Sequence, residues 1–198
     1  MKLYWAPHTR AIRAIWLLEE IGCPYERVRV TIRGGETDPG LARANPMKKV
    51  PTLTDGDVNV AETAAICTYL ADKFPEAKLA PKIGDPLRGP YLHWMFFNAA
   101  NMEPAFLQKM MNIEIDPVAA GWGSFDRVMD AVETAVSSRE WLLGSQFSAA
   151  DVLMATSLHF GMHIMKVVPQ RPAFMAYTAR AAARPAFQRT NAIDSSDA

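Results

Sequence analysis

Two stretches of this chain combine residue types that could bind a ligand and act on it. The first is Asn45-Pro46-Met47-Lys48-Lys49-Val50-Pro51-Thr52-Leu53. A short apolar run begins at Val50, and Pro51 interrupts it at its second position. Proline donates no hydrogen bond to a sheet ladder, so this segment cannot start as an ordinary central strand. It fits a sharp entry into a strand. A cis Val50–Pro51 bond is one way to make that entry, against a prior of about 5–6%. A bent entry leaves the N–H and C=O of Val50 facing outward, where an extended peptide-like ligand can pair with them. The second stretch is Thr9-Arg10-Ala11-Ile12-Arg13 at the start of a helical pattern. A hydroxyl, two cations and a helix N-terminus together favour binding of an anion at that end of the helix. The simpler account is exposed charges of small effect with Thr9 as N-cap, and on pattern alone it is preferred.

The elements that must position these residues follow from hydrophobic spacing. Lys2–Trp5 is expected as a short buried strand and Ala6-Pro7-His8 as a turn. A helix is expected from Thr9 to Ile21, with Ala11, Ala14, Leu17, Leu18 and Ile21 on helical spacing. Gly22 and Pro24 end it. Arg10 and Arg13 in its first turn and Glu19 and Glu20 in its last oppose the helix dipole, each by about 0.3–1 kcal/mol. Tyr25 to Ile32 alternates as a second strand, and Arg33-Gly34-Gly35 ends it. A weak helix lies around Leu41–Ala44. Beyond Pro51, Asp55-Gly56-Asp57 signals a hairpin turn, Val58-Asn59-Val60 is a strand, and Glu62-Thr63 opens a helix reaching Phe74. An acid at a helix start is favourable in itself. The order β-α-β-α-β-β-α suits a mixed sheet covered by helices.

After residue 75 the pattern changes. Pro75, Pro81, Gly84, Pro86 and Pro90 mark a boundary and linker, and beyond them only helices are expected. One long helix runs from Tyr91 to about Asn112, kinked by Pro104. Another covers Pro117 to Ser138 and is interrupted near Gly121-Trp122-Gly123. Ser148-Ala149-Ala150-Asp151 is a capping box, with Phe147 available as a hydrophobic staple. Arg171-Pro172-Ala173-Phe174 recurs as Arg184-Pro185-Ala186-Phe187, and each proline fits the first position of a short helix. Asp194 to Ala198 is expected to fray. The predicted division is 1–75, a linker over 76–84, and an all-helical domain over 85–198.

Asn-Pro-x-x-Lys-Val-Pro-x-Leu, followed by a hairpin and Glu62-Thr63 at a helix start, resembles the glutathione-binding half of the glutathione transferases. Leu3-Tyr4-Trp5 with its helix, and Ser148-Ala-Ala-Asp151 in the second half, extend the resemblance over nearly the whole chain. This chain carries Lys48 where the family has Gly and Thr63 where it has Ser. The resemblance implies an N-terminal thioredoxin-like mixed sheet with helices (α/β) plus an all-α C-terminal bundle. It also implies glutathione as co-substrate, no metal, and a homodimer. Thr9 matches the hydroxyl residue that donates to the glutathione sulfur in enzymes with a Ser-type site. Val50 would pair with the cysteinyl backbone, with Pro51 setting the bend. Thr63 and the N-terminus of its helix would hold the γ-glutamyl carboxylate, Glu62 would balance the ammonium, and Lys49 would reach the glycyl carboxylate. Bacterial members that use Cys at the first turn carry it where this chain has Arg10. Tyr4 is the competing hydroxyl, although strand alternation puts it more simply in the core. His8 is a turn histidine, expected to be solvated.

The implied reaction is conjugation of the activated glutathione thiol to small apolar electrophiles. Glutathione-dependent disulfide or peroxide reduction is the second reading, and a non-catalytic binding module the third. Asn98, Asn101, Met102, Phe106, Met110 and Trp122 are candidates for the electrophile pocket, although a Met and aromatic stripe at helical spacing is more often core. The 198 residues carry 21 basic and 21 acidic side chains, so there is no electrostatic case for nucleic acid or an anionic membrane. No apolar run approaches the roughly 18 residues of a membrane helix. Cys23 and Cys67 belong to no C-x-x-C, and the chain opens on a strand, not a leader. Both point to a reducing, cytoplasmic setting.

Overall fold

A computed structural model describes residues 1–35 and 38–196. The chain divides into two compact units. The first is Met1–Ala77 together with the segment from Arg184, and the second is Lys78–Ala183.

In the first unit four strands form one sheet in the order β2-β1-β3-β4. They are β1 (Lys2–Trp5), β2 (Glu26–Arg29), β3 (Thr52–Asp55) and β4 (Val58–Ala61). β2 runs parallel to β1, and β3 and β4 are antiparallel to their neighbours. This is the mixed, thioredoxin-like sheet expected from the sequence. β2 is shorter than the expected Tyr25–Ile32, because only Val30 beyond it is buried and Ile32 is exposed. Helices α1 (Ala11–Ile21), α2 (Pro39–Ala44) and α3 (Thr63–Lys73) follow β1, β2 and β4. α1 ends on Gly22 at φ 74°, whose N–H donates to the Leu18 carbonyl, the left-handed cap that Gly adopts without a Cβ penalty. α2 is capped by Asp38, which accepts from the N–H groups of Gly40 and Leu41. Leu3, Trp5, Ala14, Leu17, Leu18, Leu53, Ile66 and Leu70 form the buried interior. Tyr4 belongs to a smaller cluster with Val30 and Leu41, in the core as strand alternation suggests.

The C-terminal helix α9 (Pro185–Ser196) completes this unit. The sequence division placed it in the helical domain; the fold instead ties it to α1. Arg184 holds Glu20 through Nε (2.6 Å) and Nη2 (2.8 Å). Arg189 donates to the Glu19 carboxylate (2.9 Å) and carbonyl (2.7 Å). Trp16 packs edge-on against Phe187, with ring centroids 4.7 Å apart. Glu19 and Glu20, unfavourable for the dipole of α1, are therefore the acidic half of a helix–helix seam. Asp194 is buried and engaged with His8, which corrects the expectation that it frays. Residues 197 and 198 lie outside the described residues.

The second unit contains α4 (Arg88–Phe97), α5 (Glu103–Met111), α6 (Phe125–Ser137), α7 (Ala149–His159) and α8 (Pro172–Ala182). The expected single helix over 91–112 is split by a π-helical segment, Asn98–Met102. Pro104 has no N–H to return to the preceding turn. The chain widens there, and the Glu103 N–H bonds the Asn98 carbonyl five residues back. α6 starts at Phe125, after the glycines, with Ser124 as its N-cap accepting from the Arg127 N–H. In α7 the capping-box carboxylate of Asp151 is fully enclosed. It accepts from the Ser148 N–H and Oγ (2.8 Å each), the Leu142 N–H (2.8 Å) and the Tyr177 hydroxyl (2.6 Å). Phe147 is buried against Trp141.

Candidate functional site

Strand register sets the geometry of the site. Tyr4 on β1 pairs with Thr52 on β3, and Thr52 pairs with Ala61 on β4. These three residues form one row across the sheet. One or two residues beyond that row, β1 runs into the Ala6–Thr9 turn, β3 is entered from Val50-Pro51, and β4 ends on Glu62-Thr63. Thr9, Val50 and Thr63 therefore come from three separate stretches to the same edge. Adjacent strands lie about 4.8 Å apart, so the row spans about 10 Å. That is the reach of about three extended residues.

The Val50–Pro51 bond is cis, so the bend expected from Pro51 is present. β3 begins only at Thr52. Among the described residues no hydrogen bond engages the N–H or C=O of Val50. The loop before it is held by Asn45, whose side chain is buried. Asn45 Nδ2 donates to the Lys49 carbonyl (3.2 Å) and the Thr52 hydroxyl (3.0 Å), and its Oδ1 accepts from the Met47 N–H (2.9 Å). The Thr52 hydroxyl in turn donates to the Lys49 carbonyl at 2.8 Å. Neither Asn45 nor Thr52 stood out as functional in the sequence, although both lie inside the motif. An Asn before a Pro is the available signal, since its side chain commonly bonds backbone two residues on. Lys48 sits at φ 53°, a left-handed conformation that explains why Gly suits this position. Lys48 and Lys49 are both exposed.

Glu62 precedes α3 at φ 67° and ψ 125°, a sparsely populated conformation that costs a non-glycine residue about 1–3 kcal/mol. It makes no side-chain cap. The first intrahelical bond is from the Ile66 N–H to the Glu62 carbonyl, at 2.9 Å. The N–H groups of Thr63, Ala64 and Ala65 thus have no intrahelical acceptor and face out of the helix start. This is a favourable end for an anion, and the strained residue beside it is of the kind that persists at binding sites.

At the first turn Thr9 is half-buried. Its hydroxyl donates to the Ala6 carbonyl at 2.6 Å and accepts from the Ala11 N–H at 3.2 Å. Thr9 thus braces the turn into α1 but is not its N-cap. That place falls to Arg10, which makes no side-chain cap, so the expectation of Thr9 as N-cap is corrected by one residue. Arg10 is exposed and Arg13 is buried on α1. The Tyr4 hydroxyl stands against Gly40 of α2, where it would lie 2.3 Å from a Cβ. His8, expected to be solvated, keeps an exposed ring but is bound to Asp194 at both its backbone and its ring. Cys67 is wholly buried in α3, and burial pushes its thiol up to about 12. Cys23 is half-buried beyond the end of α1, its thiol also raised by burial.

In the second unit, Asn98, Met102 and Phe106 are buried in the helical core. Asn98 donates to Ser157 Oγ at 2.5 Å, and Trp122 donates to Gln108 at 2.8 Å. Met110 is exposed. Among the described residues no three His, Cys, Asp or Glu side chains gather as a metal-binding group would require.

Residues 1–72 match the model of the glutathione S-transferase N-terminal domain, and residues 116–180 match that of the C-terminal domain. The chain is 26% identical over 205 residues to a glutathione S-transferase of Hyoscyamus muticus, covering 96% of each chain. Among solved structures it resembles a glutathione transferase from Methylococcus capsulatus strain Bath, at 29% identity, TM-score 0.82 and 98% coverage of both chains. It also resembles a sphingomonad glutathione S-transferase complexed with glutathione, at 27% identity, TM-score 0.78 and 98% coverage of both.

Proposed function

The chain belongs to the glutathione S-transferase family, and we propose that it binds glutathione along the Thr9–Val50–Thr63 edge and joins its thiol to small apolar electrophiles. The observation that supports this reading is the register row Tyr4–Thr52–Ala61, from one end of which the chain leads into the Thr9, Val50 and Thr63 stretches. The cysteinyl backbone pairs with the N–H and C=O of Val50, held at the mouth of the cis Pro51 bend. The γ-glutamyl carboxylate rests on the open amides of α3 and the Thr63 hydroxyl, and Glu62 balances the adjoining ammonium. Lys49 serves the glycyl carboxylate.

A thiol with an ordinary pKa near 8.5 is only a few per cent thiolate at neutral pH. Lowering it by two units takes about 2.7 kcal/mol of preferential stabilisation. A charge-assisted hydrogen bond from Thr9, together with the N-terminus of α1, is of that size. Thr9 has one proton to give, now directed to Ala6, so donation to sulfur requires rotation of the hydroxyl away from that carbonyl. The thiol proton leaves to water. The thiolate pair then forms the carbon–sulfur bond as the electrophile's leaving group departs. An enzyme mixed disulfide is disfavoured, because neither cysteine lies in the first turn and Cys67 is enclosed. The second reading is therefore disulfide or peroxide reduction by two glutathiones without an enzyme Cys, told apart by comparing turnover of a glutathione-coupled disulfide with that of an aryl halide.

We further read the protein as a cytoplasmic homodimer, from its family. No helix among the described residues is long and apolar enough to cross a membrane. Sedimentation near the 21.9 kDa chain mass would overturn the dimer. The decisive experiment for the site is ultraviolet thiolate absorbance of bound glutathione against pH. A midpoint well below that of free glutathione supports activation. An unshifted midpoint, or no binding at millimolar glutathione, overturns it.

A further inference from the structure

The turn that carries Thr9 is tied to a residue near the far end of the chain. Asp194, on the last turn of α9, is 7% exposed. Its Oδ1 accepts from the His8 backbone N–H at 3.1 Å, and its Oδ2 lies 3.3 Å from His8 Nδ1. His8 stands at φ 56°, where a side chain costs about 1–2 kcal/mol relative to ordinary backbone. The conformation is not relieved by glycine, so contacts that hold it offset part of that cost. Asp194 provides two, one to the amide and one to the ring. His8 immediately precedes Thr9, so the same contacts fix where the Thr9 backbone begins.

We propose that Asp194 is a positioning residue for the thiol-activating turn: by holding His8 in its left-handed conformation it fixes where the Thr9 oxygen stands, the point from which the hydroxyl turns from Ala6 to the sulfur. The inference rests on the reading of Thr9 given above. α9 is not merely a cover for α1. Its Arg184 and Arg189 contacts fasten it at the C-terminal end of α1, and Asp194 carries that attachment to the N-terminal end. A hydroxyl misaimed by a fraction of an ångström stabilises thiolate poorly while leaving the carboxylate anchors of the tripeptide untouched.

The test compares Asp194→Ala, the double variant Asp194→Ala/His8→Gly, and Arg189→Ala as a control that loosens α9 elsewhere. Three quantities are read: hydrogen exchange of the His8 amide without ligand, the thiolate midpoint of bound glutathione, and kcat and KM with an aryl halide. Asp194→Ala is expected to speed His8 amide exchange by about tenfold or more. It should also lower kcat about tenfold with the KM for glutathione within about twofold, and move the thiolate midpoint upward. His8→Gly in the same chain should restore most of kcat, because glycine takes the left-handed conformation unaided. Arg189→Ala should lower the melting temperature without moving the thiolate midpoint. An unchanged thiolate midpoint in Asp194→Ala, despite faster His8 exchange, would overturn the proposal. So would an equal loss of activity in Arg189→Ala, or no rescue by His8→Gly. If the unaltered protein bound glutathione with an unshifted thiol, the Thr9 reading would fail on its own, and the proposal resting on it would fall too.

Discussion

The Thr9 hydroxyl donates to the Ala6 carbonyl at 2.6 Å, so the group expected to activate the thiol is engaged with its own turn. It also accepts from the N–H of Ala11, the first residue of α1. Replacement therefore acts on both stability and chemistry. Thr9→Val should lose the hydroxyl's two local hydrogen bonds, about 1 kcal/mol, and lower kcat by about 10- to 100-fold. Thr9→Ser keeps the hydroxyl and should stay within about threefold of the original. Thermal melts beside steady-state kinetics separate the two effects. A Val variant with an unchanged thiolate midpoint would remove Thr9 from the mechanism.

Asn45 fixes the loop that presents Val50. Asn45→Ala deprives the Met47 N–H of its side-chain partner, leaves the Lys49 carbonyl only its bond from Thr52, and leaves the buried Thr52 hydroxyl with one contact fewer. A cost of about 1–3 kcal/mol is expected, with glutathione affinity weakened about tenfold. Calorimetric titration checks the second figure. Asp55 on the opposite end of β3 is unaffected by this loop, so the sheet itself should persist by circular dichroism.

Lys48 occupies a left-handed position, and among the described residues no hydrogen bond or ion pair requires its side chain. Lys48→Gly removes the conformational cost but gives the unfolded chain more freedom. The net gain should be no more than about 1 kcal/mol, or about 2–4 °C in melting temperature for a chain of this size. A fall in melting temperature would show that the lysine side chain contributes more than its backbone costs.

Cys67 titrates differently in the two states of the chain. Burial raises its thiol from 9.0 to about 12 in the folded protein. Above pH 9 the unfolded chain releases a proton that the folded chain retains. Its contribution to stability is thus complete below pH 9 and is lost as pH rises toward 12, at up to about 1.4 kcal/mol per pH unit. Cys67→Ala should flatten the alkaline limb of a stability–pH curve measured by urea unfolding. In the unaltered protein Cys67 should react with thiol reagents only after denaturation.

Most of the first unit was legible because its signals are local. Pro51 inside an apolar run, Gly22 after a periodic stretch and Asp55-Gly56 between two strands each dictate backbone geometry within a few residues. The capping box at Ser148–Asp151 was legible for the same reason. Three features were not. The Asn45–Thr52 contact exists only once the loop has closed. The π-helical turn at Asn98–Met102 lies upstream of the proline that provokes it, and spacing announces Pro104 but not how the chain accommodates it. The acids of α1 and the arginines of α9 each look misplaced or merely solvated until the fold brings them together. Glu20 meets Arg184 across 164 positions and His8 meets Asp194 across 186, far beyond any periodic window.

The return of α9 to α1 means that the first unit is discontinuous, with roughly a hundred residues inserted between its two parts. On a ribosome, at about 5–20 residues per second, the Trp16 and Glu20 face of α1 emerges and then waits about 8–33 s, the time to add the 164 positions to Arg184, before the helix that covers it is made. During that interval the nascent chain presents an aromatic and acidic surface with no mate from its own sequence. A chaperone or an intermolecular α9 from a neighbouring chain could occupy it. The same arrangement makes exchange of α9 between two copies the natural route by which this fold would misassemble.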